Sequence, residues 1–322
     1  MTDTYRKRLG TMLSLLCIAI WGVNAVALKV AARPPSGPPL DAVFLSGLRF
    51  LACGPVFLLA LAVTDREKLR LTRREAGVYA LFGLVSVLVG EALMALAVRY
   101  TSVANLTLLS HGTISLCTAL WAWALFGQPL SRRALGGAGV ALFGVALIAL
   151  HAPGGLRLGG ETWRGDALAL LRSALHGGYL LIMGRWLRGR SVLQVTGWSV
   201  SFGALWCLPY VIWKGATFPW HAVAPQVWLA LAWSIIPTTL FGFLAWNWST
   251  AQVGPLAAVN VMYLLPPAAA FAAWGLRGEP VTLWHAVGGL LIVAGIVLVR
   301  WEAFRIDPND ILTRKTSHAQ EP

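Results

Sequence analysis

The sequence predicts an all-α polytopic membrane protein with ten transmembrane helices, arranged as two inverted five-helix repeats. Three observations carry the prediction. The 322 residues are 57% hydrophobic and only 12% charged, with a mean hydropathy of +0.67, far from the quarter-charged make-up of a soluble domain. Ten apolar runs are long enough, at about 1.5 Å per helical residue, to cross a hydrocarbon layer roughly 30 Å thick. A pattern of small residues, Gly-Pro and double Gly is also written twice, 151 residues apart.

The runs fall near 9–31, 43–63, 76–97, 103–126, 133–150, 166–184, 192–213, 225–246, 252–275 and 281–300. Leu, Val, Ala and Ile fill them without period-2 alternation, which argues against a transmembrane β-barrel. Arg6, Lys7 and Arg8 precede the first run as they would a signal peptide. Its length, with Trp21, Asn24 and Lys29 inside, fits a retained spanning helix better. Residues 302–322 are polar and are expected to form a disordered cytoplasmic tail. The cysteines, Cys17, Cys53, Cys117 and Cys207, sit inside apolar runs with no C-x-x-C spacing and no neighbouring His cluster. Neither a metal site, a disulfide nor a cofactor is expected from them.

Basic residues choose the orientation. With ten spans both ends share a face, and that face collects Arg6, Lys7 and Arg8; Arg66, Lys68, Arg70, Arg73 and Arg74; Arg132 and Arg133; Arg185, Arg188 and Arg190; and Arg300, Arg305, Arg314 and Lys315. The other face holds Arg33, Arg99, Arg157, Arg164, Lys214 and Arg277. Seventeen against six places both termini on the cytoplasmic side; the expected location is a bacterial inner membrane. The net charge of +13 therefore belongs to loops that meet anionic lipid. No basic domain is left to hold nucleic acid.

In the doubled pattern Ala119 pairs with Ala270, Ala122 with Ala273, Trp123 with Trp274, Gly127 with Gly278, Pro129 with Pro280, Gly137 with Gly288 and Gly144 with Gly295. Residues 1–150 and 151–301 are read as the two copies. A five-span unit must enter the membrane from the opposite side when repeated, which gives inverted repeats and a means of opening one central site alternately to either face. The paired glycines end helices before proline and offer small faces for close packing.

Ionisable residues inside spans are costly, by roughly 2.5–3.5 kcal/mol on insertion scales, so their placement is informative. Arg49, Glu91, His111 and Arg172 fall about 9–12 Å below the same face on four different runs, which points to one polar layer roofing a cavity. Arg49 or Arg172 suits a carboxylate or other anion. Glu91 suits an ammonium group or a coupling proton, with His111 and His176 as partners. Asn24, Asn105 and Asn260 are candidate amide contacts, while Trp21, Tyr179 and Tyr263 offer apolar faces with a polar handle. All of these serve equally well as helix glue or as offsets to burial. Asn247 is read as a helix end. Lys29 lies near the end of its span and is expected to snorkel. Spans five and ten carry no ionisable residue except His285 and are expected at the periphery, facing lipid or a second subunit of a homodimer.

The chain at this point resembles the EamA-type members of the drug/metabolite transporter superfamily. The likeness rests on Trp21-Gly22-x-Asn24, Arg49-Phe50, Ala97 to Ala104, Gly127-Gln128-Pro129-Leu130, Pro266, Gly278-Glu279-Pro280 and Gly288-Gly289-Leu290. It covers roughly residues 9–300. It implies two five-helix halves and export or exchange of small metabolites, often amino acids, sometimes toxic amphipathic compounds. Two departures are Gln128 where the family usually has Glu, and Ser115 at the place related to Pro266. The expected activity is secondary transport of a small molecule, by export or by uptake, with proton coupling through Glu91. No G-x-x-x-x-G-K-[ST] loop is present, so nucleotide-driven transport is not expected, and neither is an enzyme. Glu91 is also the only acidic residue well inside a span, against the carboxylate pairs that intramembrane chemistry would need.

Overall fold

A computed structural model describes residues 3–303 apart from 98, 129, 153, 154, 159 and 280. Nine of its helices are long and apolar enough to cross a membrane: α1 (Thr4–Ala32), α2 (Ala42–Thr64), α3 (Arg73–Ala97), α4 (Thr107–Phe126), α5 (Arg132–Leu150), α6 (Gly160–Trp186), α7 (Val192–Ala216), α8 (Pro225–Val253) and α9 (Pro255–Arg277). A shorter apolar helix, α10, occupies Leu283–Val299. Among the described residues the protein is all-α, and it is a multi-pass membrane protein. The tail reading covers residues 302–322: Glu302 and Ala303 continue the last helix, and 304–322 lie outside the described residues.

Polar side chains start the helices where the apolar runs begin. Asp41 accepts from Phe44 N at 2.9 Å at the head of α2, and Thr72 with Glu75 forms a reciprocal capping box at the head of α3. Ser131 and Ser191 cap α5 and α7. Gly127 and Gly278 close α4 and α9 in the left-handed region, at φ 61° and 67°, where a side chain would be strained.

Four of the helices are not regular. Wide π turns occupy Leu84–Val89 in α3, Thr107–Gly112 in α4 and Ser234–Phe241 in α8, and a 3₁₀ turn at Val261–Leu264 interrupts α9. The π turns of α3 and α8 stand in the 151-residue relation of the doubled pattern. Such turns re-aim side chains and free backbone groups, and they gather at functional sites.

Packing comes in matched sets. α2 lies against α7 and α5 against α10; α1 packs on α8 and α9, while α6 packs on α3 and α4. The α5–α10 crossing is a backbone contact: a Cβ at Gly137 would stand 2.7 Å from Gly295 O, and one at Gly144 2.5 Å from Gly288 O. Their outward faces carry exposed Phe143, Leu290 and Val297. One reading is corrected here. Asn247 does not end its helix, because α8 runs on to Val253 and stops at Gly254, whose φ is 87°; Asn247 is buried inside the bundle.

Candidate functional site

The helices other than α5 and α10 enclose a cavity of about 480 Å³, within the size range of small-molecule sites. Neither α5 nor α10 contributes a lining residue. α2 presents Arg49 and Phe50 two turns below its Asp41 cap, α3 presents Glu91 just past its π turn, and α4 presents His111 from within its own. On α6, Arg172, His176 and Tyr179 follow one another at helical spacing and share a stripe.

Arg49 Nη2 lies 3.6 Å from Glu91 Oε1. Arg172 donates through Nε to Gly90 O at 3.1 Å and through Nη1 to Ser110 Oγ at 2.6 Å, so it fastens α6 to the irregular turns of α3 and α4. Across the cavity α1 is tied to the π turn of α8: Trp21 Nε1 donates to Thr238 O at 3.3 Å, and Ser234 Oγ donates to Asn24 Oδ1 at 2.6 Å. Trp21 and Trp246 lie 5.0 Å apart between ring centroids, and Phe50 and Phe243 5.7 Å. Together they make one wall aromatic. Among the described residues, Arg49 Nε, His176 Nδ1, Ser199 Oγ and Thr238 Oγ1, all on residues that line the cavity, are buried with no hydrogen-bond partner. Orphaned polar atoms are rare in packed cores; beside a cavity they mark where water or the polar atoms of a ligand go.

The cavity is not equally accessible at its two ends. Toward the face opposite the N-terminus its lining is open, with Ala25 exposed and Leu28, Glu91, Met94 and Thr107 half-buried. Toward the N-terminal face Leu180, Met183, Thr196, Ser199, Val200 and Trp246 are all buried. Within that floor Asn247 Nδ2 donates to Thr196 Oγ1 at 2.8 Å, and beneath it Ser14 and Ser249 both donate to Gly10 O. Phe82 and Tyr179 add an edge-to-face contact at 5.6 Å.

A sequence profile of the EamA-like transporter family matches residues 8–150 and 163–301. The chain belongs to that family. An uncharacterized transporter of Archaeoglobus fulgidus is 24% identical over 288 residues, 89% of this chain and 96% of its own length. A probable amino-acid metabolite efflux pump of Salmonella typhimurium is 24% identical, covering 91% of this chain and 95% of its own. A probable terminal-alkyne amino-acid exporter of Streptantibioticus cattleyicolor is 29% identical over 58% of this chain and 63% of its own. One solved crystal structure superposes with a TM-score of 0.73 at 19% identity, over 92% of this chain and 98% of the other, which shows a common fold. As a member of the EamA-like family the protein is a membrane transporter of small molecules, not an enzyme.

Within this EamA-family transporter, Trp21, Asn24, Arg49, Glu91, His111, Arg172, His176 and Tyr179 all line the cavity. Asn105, Asn260 and Tyr263 do not. Asn105 is fully buried near the start of α4, donating to Arg157 O at 2.6 Å and Asp166 Oδ1 at 2.8 Å. Thr101 joins the same Asp166 at 2.6 Å, so this amide pins the α5–α6 connection to α4. Tyr263 packs with Leu108, Val145 and Ile292, and Asn260 is half-buried outside the lining. Lys29 pairs with Glu279 at 2.7 Å, tying the end of α1 to the α9–α10 connection. The hydrogen bond from Lys29 holds the Glu279 carboxyl below the usual range. Sequence reasoning missed Ser86, Thr107, Thr196, Ser199 and Thr238. A hydroxyl in an apolar run costs too little to stand out, and the only available signal was proximity to the charged positions.

Proposed function

We propose that the protein is a secondary exporter of small carboxylate-bearing metabolites, amino acids among them, in a bacterial inner membrane with both termini cytoplasmic. It works by alternating access between two inverted five-helix halves, residues 1–150 and 151–301. The observation that carries this reading is the Arg49, Glu91 and Arg172 cluster from three helices, facing one cavity beside an aromatic wall. Buried charge is expensive, and in membrane proteins it marks substrate and ion paths.

The packing supports the alternation. Exchanging each first-half helix for its second-half counterpart turns the contacts of α1 with α8 and α9 into those of α6 with α3 and α4, and maps α2–α7 and α5–α10 onto themselves. A set of contacts closed under that exchange is what inverted repeats require. The Salmonella and Streptantibioticus relatives, a probable amino-acid metabolite efflux pump and a probable terminal-alkyne amino-acid exporter, agree with amino-acid cargo. The aromatic wall also suits larger amphipathic compounds, which is the second reading. The exposed faces of α5 and α10 meet lipid or a second copy.

Glu91, with Arg49, Arg172 and His111 around it, is assigned the coupling proton. In proteoliposomes loaded with labelled amino acids, wild-type efflux should respond to an imposed pH gradient, and Glu91→Gln should remove that response while still inserting and folding. Equal gradient dependence in the two proteins would eliminate the coupling role.

A further inference from the structure

The charges of the cavity are not equivalent, and we infer that they select an amphipathic organic monoanion, its carboxylate docked on Arg172 and its apolar body against the aromatic wall. The inference rests on the transporter reading above and narrows its cargo.

Arg49 and Glu91 are already partners at 3.6 Å, with side chains 7% and 25% exposed. They offset one another. Arg172 is held differently, since both its acceptors, Gly90 O and Ser110 Oγ, are neutral. Among the described residues it makes no ion pair within 4.0 Å, although it lines the same cavity. Histidines aside, the formal charge of the lining is therefore +1, from Arg49, Arg172 and Glu91, and with Glu91 in ion-pair contact only with Arg49, Arg172 carries the larger part of the excess. A guanidinium with donors to spare is suited to a carboxylate.

The cargo classes differ in what they leave uncompensated. A zwitterion brings an ammonium group whose only acidic partner in the lining is Glu91, so it either stays unpaired or strips Arg49 of its counter-charge. Both outcomes are costly out of water. A cation meets the excess positive charge directly. A neutral amide forfeits the charge-assisted bond. An anion without an amine neutralises Arg172 and asks for nothing else, while Trp21, Phe50, Phe243 and Trp246 receive its apolar body.

The test is a series on one body, using the full chain in nanodiscs and calorimetric titration with 3-phenylpropionate, phenylalanine, phenethylamine and 3-phenylpropionamide. The expected order puts 3-phenylpropionate first by about tenfold or more, a difference of roughly 1.4 kcal/mol. Arg172→Gln should collapse the gap between the anion and the amide. Arg172→Lys should keep the order with a smaller lead, because an ammonium lacks the planar fork. If Arg172→Gln does not elute as a folded species, the wild-type order and the lysine variant decide. Phenylalanine binding as tightly as 3-phenylpropionate overturns the monoanion assignment and leaves amino-acid export standing. An undiminished lead of the anion in both Arg172 variants overturns the role of Arg172. Binding by none of the four overturns this inference together with the carboxylate cargo of the wider proposal.

Discussion

Single residues were legible in proportion to what their burial costs. Arg49, Glu91, His111 and Arg172 stand out because an ionisable group in an apolar run must be accounted for, and all four line the cavity. Amides were ambiguous, and the structure divides them: Asn24 faces the cavity, whereas Asn105 serves a connection. The floor pair Asn247–Thr196 tests the energetics at this scale. Leaving one buried partner unsatisfied costs about 1–3 kcal/mol, while replacing both by apolar groups of similar shape is nearly neutral. Asn247→Leu alone should therefore lower the thermal midpoint of the purified protein, and adding Thr196→Val should recover most of the loss. A double variant as unstable as the sum of the singles would mean the 2.8 Å bond is not the relevant interaction. The Lys29–Glu279 pair makes a second, smaller test. Because Glu279 is held below its ordinary range in the folded protein, the pair contributes fully above the ordinary carboxylate value and is lost as acidification passes the lowered one. Lys29→Gln should then narrow the difference in melting temperature between neutral and acidic buffer. The change should be slight, since both side chains are well exposed.

At the level of elements, helix existence and most boundaries followed from run length and caps, and the errors have identifiable causes. Asn247 was read as a terminus because polar residues usually end apolar runs; the true stop is Gly254 followed by Pro255, the stronger backbone signal. The π turns in α3, α4 and α8 left no trace in composition, since a widened turn is a response to packing and not to local propensity. Paired glycines were legible as small faces, yet only the structure separates those in contact from those that are not. That separation is testable. Gly144→Leu places a side chain where even a Cβ would stand 2.5 Å from Gly288 O, so α5 and α10 must part. A loss of about 1–3 kcal/mol or more is expected from overpacking, read as a lowered melting temperature or failure to purify. Gly136→Ala, with nothing within 4 Å of its Cβ, should melt at or slightly above the wild type. Equal behaviour of the two variants would remove the crossing as a structural element.

For the whole molecule, the doubled pattern foretold more than any motif did. An offset of 151 residues first seen in Trp123 and Trp274 returns in the left-handed glycines that close α4 and α9 and in the π turns of α3 and α8. The sequence could not say which face the cavity opens to, because under the proposed inverted repeat the two halves write the same pattern for either conformation. Burial decides it: exposed Ala25 and half-buried Met94 on the face opposite the N-terminus, buried Ser199 and Thr196 toward the N-terminal face. The state is outward-open if the termini are cytoplasmic, and thiol labelling tests that combination. In a background with Cys17, Cys53, Cys117 and Cys207 replaced by Ala, Ala25→Cys should react quickly with a membrane-impermeant maleimide added outside right-side-out vesicles. Ser199→Cys, at the buried end of the cavity and above the floor bonds, should react at least about tenfold more slowly if a few kcal/mol of local closure guard it. Transported cargo that draws the protein through its other conformation should slow the first reaction. The reverse pattern, with Ser199→Cys labelled and Ala25→Cys protected, would invert either the topology or the open face, and reagent sealed inside the vesicles would tell which.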